Sequence, residues 1–194
     1  MTTSDSDADF PVSKRTHIKG SRHLAREKVL QVLAATTGSD VDLDTAFNHV
    51  FFRQFTFDEK DAPEDAKILR PEEVLELDAD VAIEWSTEDI EYAREVIVSA
   101  KEQEVGSTEL IDMYAKNWDL ERIAALDRIL MRLAIAELTS CPDIPVKVTI
   151  NEVIELAKRY STDKSGTFIN GVLDAVHDRL QTEQRIQKSG RGLL

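Results

Sequence analysis

The sequence predicts an all-α domain of packed antiparallel helices joined by short loops, and three observations carry that expectation. Apolar residues recur at helical spacing in seven stretches, and no segment alternates apolar and polar residues convincingly. Only 7 Gly and 5 Pro occur in 194 residues, too few for a collagen-like or low-complexity chain. With 42% hydrophobic and 31% charged residues, the length suits one compact domain with some chain left for tails or an insertion.

Residues 1–13 are polar, acidic and aperiodic, so they read as disordered; with the basic residues that follow, 1–19 form an N-terminal tail. The first helix follows Gly20, placing Ala25, Val29, Val32 and Leu33 on one stripe and ending at Gly38, Ser39 and Asp40. Leu43, Phe47, Val50 and Phe51 start a second helix. Phe47, Phe51, Phe52, Phe55 and Phe57 crowd together with only Arg53 as a nearby cation. Stacking platforms for bases interleave aromatic and basic residues, so this cluster reads as core or a cover over it.

From about 57 to 86 the chain is an acidic insertion without sustained period, with one helical turn expected after Pro71. Ser86 caps a helix that carries Ile90, Ala93, Ile97 and Ala100 and stops at Gly106. Leu110, Ile111, Tyr114 and Trp118 form the next stripe. Twelve of the sixteen residues from Ile123 to Leu138 are apolar, which marks a central helix covered on nearly all sides. After Pro142 and Pro145, Thr149 and Glu152 read as a capping box ahead of Ile150, Val153, Ile154 and Ala157. A last helix carries Ile169, Val172, Leu173, Val176 and Leu180. The domain therefore runs from 20 to 183, and 184–194 is expected to fray.

The formal net charge is −13, from 24 basic and 37 acidic residues, the reverse of a usual nucleic-acid binder. The charge is uneven. From Ser13 to Lys28, Lys14, Arg15, Lys19, Arg22, Arg26 and Lys28 face only Glu27, a local net of +5, with His17 and His23 beside them. From Phe57 to Ser86 eleven acids against Lys60, Lys67 and Arg70 give −8. No apolar run is long enough to span a membrane, and the acidic N-terminus is unlike a signal peptide, so the cytoplasm is expected. Cys141 is the single cysteine and is expected to fill apolar space.

No glycine-rich phosphate loop, helical His-x-x-x-His pair, nucleophile elbow or ligand cluster is present in the sequence. The histidines His17, His23, His49 and His177 are scattered, and pairs such as Glu72-Glu73 are uninformative in so acidic a chain. No catalytic residue, metal or cofactor is therefore expected. The basic cluster says more. On a helix extended back to Lys19, the residues Lys19, His23 and Arg26 recur at i, i+4 and i+7, with Arg22 on the adjoining turn. Cations there oppose the helix dipole. An anionic ligand explains them, and so does a solvated basic tail that balances an acidic surface. Ser165-Gly166-Thr167-Phe168, with Lys164 beside it, offers hydroxyls and backbone amides suited to phosphate at the start of the last helix. Phe168 lies about 100° from the Ile169 stripe, exposed enough to stack on a base; the alternative is a core-edge residue. Gly171 inside that helix predicts a close approach to its backbone.

Three blocks together resemble the NusB family of bacterial transcription antitermination factors: Arg22 to Ala34 (RHLAREKVLQVLA), Asp127 to Leu138 (DRILMRLAIAEL) and Ile144 to Asp174 (IPVKVTINEVIELAKRYSTDKSGTFINGVLD). The resemblance covers about residues 21 to 181. It implies two perpendicular helical bundles and a non-enzymatic protein that binds boxA RNA together with NusE, a small-subunit ribosomal protein, within the wider antitermination complex on RNA polymerase. By resemblance, Arg22 and Arg26 match the family's arginine-rich region, Phe168 the aromatic at its RNA surface, and Asp127 its acidic contact to NusE. The RNA-binding set is thus Lys19, Arg22, His23, Arg26, Lys164 and Phe168, with Asp127 as the partner-binding residue. Three departures stand out. His23 and Leu24 interrupt the arginine run, Ala34 replaces an aromatic that some members use against NusE, and the acidic insertion is unusual.

Two other readings remain open on the sequence. NusB-like domains also precede a ribosomal-RNA cytosine methyltransferase domain, although this chain has no room for a cofactor-binding sheet. A purely protein-binding helical adaptor is the other. Apolar helix faces that build a core could equally pair two copies, so a homodimer also stays open.

Overall fold

The computed structural model describes residues 17–52, 82–115 and 123–193. The tail cations Lys14 and Arg15, most of the acidic insertion with Phe55, Phe57 and the turn after Pro71, and Trp118 lie outside the described residues.

Seven α-helices make up the described architecture, as the periodicity predicts. They are α1 (Arg22–Thr36), α2 (Leu43–Phe52), α3 (Thr87–Glu102), α4 (Glu104–Tyr114), α5 (Ala125–Ser140), α6 (Val146–Tyr160) and α7 (Ser165–Thr182). The fold is all-α. Two three-residue strands that the sequence reading did not anticipate, β1 (His17–Lys19) and β2 (Ala82–Glu84), pair in parallel with Ile18 opposite Ile83 and Lys19 opposite Glu84. Three residues are too few to display a period, and the two strands are distant in sequence, β2 lying at the end of the insertion.

Helix α5 is the centre of the molecule. Every residue from Ile129 to Leu138 is buried, because α1, α3, α4, α6 and α7 all pack on it. Leu33, Ile97, Ile111, Leu130, Ile135, Leu156 and Leu173 are fully buried side chains of this core. Each contributes about 1.5–3 kcal/mol relative to exposure. Phe47 and Phe51 belong to the same core, stacked at 4.4 Å, as expected of the phenylalanine cluster, whereas Phe52 is exposed. Cys141 is buried, as expected of a small apolar filler.

Four local expectations are corrected. Gly106 does not stop a helix but sits in the first turn of α4. The break falls instead at Gln103, whose amide nitrogen donates to Ser99 at 2.7 Å and to Thr139 at 2.9 Å, pinning the corner to α5. Thr149 is no cap: α6 starts directly after Pro145, and Thr149 is buried inside the helix. Gly171 is exposed, and a Cβ there would meet nothing within 4 Å, so nothing in the described structure crowds its backbone. Residues 184–193, expected to fray, lie against the α5–α6 loop. The Ser189 amide donates to the Pro142 carbonyl and Lys188 Nζ to that of Cys141, both at 2.9 Å. Gly192 fits only as glycine, since a Cβ would fall 2.0 Å from the Pro142 oxygen.

Candidate nucleic-acid interface

The predicted cations begin where β1 hands over to α1. Lys19 is exposed. The Gly20 amide donates to the Glu84 carbonyl at 2.8 Å, and a Cβ on Gly20 would stand 2.7 Å from the Trp85 ring, so only glycine passes this point. Trp85 Nε1 in turn donates to the Phe51 carbonyl, tying the corner to α2. Ser21 then caps α1, its Oγ accepting from the Leu24 amide at 3.3 Å. The first turn of α1 contains no acid and presents Arg22 and His23.

Arg22, His23 and Arg26 each meet a carboxylate from another helix. The Arg22 guanidinium lies over the Tyr92 ring, 4.5 Å from its centroid, with Nε 3.4 Å from Asp89. His23 Nδ1 is 2.7 Å from Glu152 Oε2. Arg26 differs in kind: it is 3% exposed and forms a two-pronged pair with Glu137, Nε to Oε2 at 2.7 Å and Nη2 to Oε1 at 3.1 Å. Glu137, with no exposed surface, also accepts hydrogen bonds from the Tyr92 hydroxyl and from Thr149 Oγ1. Burial opposes the charge on Arg26, but the Glu137 hydrogen bonds and the surrounding charges outweigh it and hold the guanidinium above its ordinary value. Burial, reinforced by the Glu137 charge, pushes the Tyr92 hydroxyl well above its ordinary value. Arg26 is therefore a core ion pair beneath the surface rather than a member of an exposed strip. Helical spacing placed it with the cations, but α3 and α5 close over that face.

Arg22, His23, Ile144, Pro145 and Glu152, with the buried Arg26, line a groove of about 400 Å³ between α1 and the first half of α6. The sequence drew attention to its cations and missed its anions. Glu137 was visible as one of four polar positions on an otherwise apolar helix, yet nothing in sequence links it to Arg26, 111 residues away. Asp89, Tyr92 and Glu152 carried no signal of their own beyond helical position.

The other predicted residues gather at the α6–α7 turn. Asp127, in the first turn of α5, is 4% exposed, with Oδ1 accepting from Ser161 at 2.6 Å and Oδ2 from Ser165 at 2.8 Å. The expected acidic surface contact is thus a buried clasp on the turn. Ser165 Oγ also accepts from the Thr162 amide at 3.2 Å. Lys164 is exposed. Phe168 is 5% exposed and packs in the core, which corrects the expectation of an open stacking face. Helix α7 is embraced by α4, α5 and α6, so its buried arc is wide enough to include the position next to the Ile169 stripe. His23 meets Glu152 midway along α6, and Lys164 follows its end, so the two regions are separated along α6 by about 10 Å or more.

Between α1 and α6 lies a shallow apolar hollow of about 180 Å³ lined by Leu30, Ala34, Leu126 and Tyr160. Glu27 closes one side, accepting from the Tyr160 hydroxyl at 2.6 Å and from Arg159 at 3.1 Å.

The NusB family model matches residues 23–178. The chain belongs to the NusB family. It is 37% identical over 174 residues to the transcription antitermination protein NusB of Salinibacter ruber, spanning 90% of this chain and 91% of that one. An 84-residue stretch is 54% identical to the NusB of Chloroherpeton thalassium, covering 43% of this chain and 40% of that protein. Among solved structures, T. maritima NusB superposes with a TM-score of 0.62 at 30% identity, covering 87% of this chain and 98% of that one. The clasped turn and all of the groove except Arg22 lie within the family match.

Proposed function

We propose that this protein is a non-catalytic, cytoplasmic transcription antitermination factor that binds boxA-type single-stranded RNA together with NusE and supports transcription of ribosomal RNA operons. The observation that carries the proposal is the cationic start of α1, with Lys19, Arg22 and His23 at the surface of a NusB-family helical domain. Those three residues, with Lys164, contact phosphates. Arg26 acts from beneath by fixing the helix against Glu137. Phe168 supports the α7 surface from inside the core. Its relatives' names carry the antitermination role.

NusE docks at the hollow around Ala34, where the exposed Tyr160 ring supplies the aromatic that position 34 lacks. Asp127 shapes that side through the α6–α7 turn rather than by direct contact. The acidic remainder of the surface suits a basic ribosomal protein. A membrane partner is not part of the proposal; no helix among the described residues is long and apolar enough to cross one.

Fluorescence anisotropy of labelled boxA RNA and a scrambled control, each with and without NusE, tests the reading. NusE should sharpen the preference for boxA. NusE binding with weak, sequence-blind RNA affinity would favour the adaptor reading instead.

A further inference from the structure

We propose that Asp89 and Glu152 are built-in counter-ions that RNA phosphates must displace, and that they set the protein's selectivity against indiscriminate polyanions. The inference rests on the RNA-binding reading and extends it to residues on the opposite side of the groove. By sequence the segment from Ser13 to Lys28 has a net charge of +5. Folding changes the local field: Arg22 and Arg26 stand against Asp89, Glu137 and Glu152, and Asp143 joins the groove wall. A lone phosphate finds little net attraction there.

The three carboxylates are not equivalent. Glu137 is fully enclosed and cannot exchange its partner. Asp89 and Glu152 hold half-exposed partners, at 3.4 Å to Arg22 and 2.7 Å to His23, where solvent and a competing anion have access. Both can also release those cations without being stranded. Asp89 lies in the first turn of α3, where free amides and the helix dipole favour a carboxylate, and its own amide is capped by Ser86. Glu152 retains Arg26 Nη1 at 3.5 Å when His23 turns away. Meanwhile Arg22 is held in place by the Tyr92 ring, whose centroid is 4.5 Å from the guanidinium. The exchange of carboxylate for phosphate therefore needs no rearrangement of the backbone. It favours a strand that offers several phosphates in register over a diffuse polyanion.

The test uses Asp89→Asn and Glu152→Gln in the full chain, read by anisotropy on boxA and scrambled RNA and by the salt needed for elution from heparin. Removing one of these two counter-ions should tighten scrambled RNA by about two- to fivefold. It should also steepen the dependence of log K on log salt by about 0.7, delay heparin elution and narrow the preference for boxA. In an Arg22→Ala background the gain from Asp89→Asn should vanish, which a mere change of net charge would not produce. Unchanged heparin elution and unchanged scrambled-RNA affinity in folded variants overturn the proposal. So does a gain that persists without Arg22. Later heparin elution in variants of a protein that shows no boxA preference would leave the counter-ions standing and defeat the boxA reading alone.

Discussion

Arg26→Met separates a structural arginine from an RNA-contacting one more sharply than any other substitution. Methionine keeps an apolar stem in the site, but removes both hydrogen bonds to Glu137 and leaves a carboxylate with no exposed surface holding only two hydroxyl donors, those of Tyr92 and Thr149. Breaking a buried pair on one side typically costs about 3–5 kcal/mol, because the remaining charge can neither leave nor be solvated. For a chain of this size that corresponds to a fall in Tm of about 6–20 °C. Urea unfolding followed by circular dichroism gives the change directly, provided the slope of free energy against urea stays constant. RNA affinity measured well below the new transition should be close to that of the parent. The opposite pattern, an unchanged unfolding midpoint with a large loss of RNA affinity, would refute the assignment of Arg26 to the core.

Phe168→Ala should destabilise by about 3–5 kcal/mol, the cost of emptying a core aromatic site, in thermal unfolding, with RNA affinity of the folded protein little changed. Asp127→Ala deprives Ser161 and Ser165 of their acceptor; it should cost about 1–3 kcal/mol and speed hydrogen exchange of amides in the α6–α7 turn. Gly171→Ala should stabilise by about 1 kcal/mol, since the new methyl group meets open space in a helix interior; a destabilised variant would show that the position is crowded after all. Stability should also fall in alkali. Burial pushes the Cys141 thiol up from 9.0 to about 11, so the folded state retains a proton that the unfolded chain loses. That contribution is complete below pH 9 and drains away between pH 9 and 11, with Tyr92 adding to the loss at higher pH. Melting curves from pH 8 to 11 should show a shallower decline for Cys141→Ala.

Much of the fold was legible because an amphipathic helix writes its buried face into sequence at 3.6-residue spacing. The α5 core, the α7 stripe from Ile169 to Leu180 and the Ser86 cap all follow from that local rule. What could not be read depends on pairings that only folding creates. The strand pair joins residues 17–19 to residues 82–84 at the end of the insertion, far apart in sequence. Thr149 looked like a cap because its sequence neighbours fit one, whereas its hydroxyl is spent on Glu137. The same holds for the candidate site. Arg22 and His23 were marked by charge and helical spacing and Lys164 by its place beside the start of α7, while Lys19, expected on an extended α1, sits in β1 instead. Arg26 and Phe168 lie on the same projections as exposed residues, yet are buried because neighbouring helices cover wider arcs than one stripe. Asp127 was marked by resemblance alone, and its serine partners explain its setting physically.

The central claim is that exposed cations at the start of α1 meet RNA phosphates while Arg26 does not. The most direct measurement is the salt dependence of boxA affinity for the parent chain, for Lys19→Ala/Arg22→Ala, and for Arg26→Met held at a temperature where it is folded. Each lost phosphate contact should flatten the slope by about 0.7, so the double variant should lose about 1.4 while Arg26→Met keeps the parental slope. A double variant with the parental slope, or an Arg26→Met protein that loses slope as the surface variants do, would contradict the account.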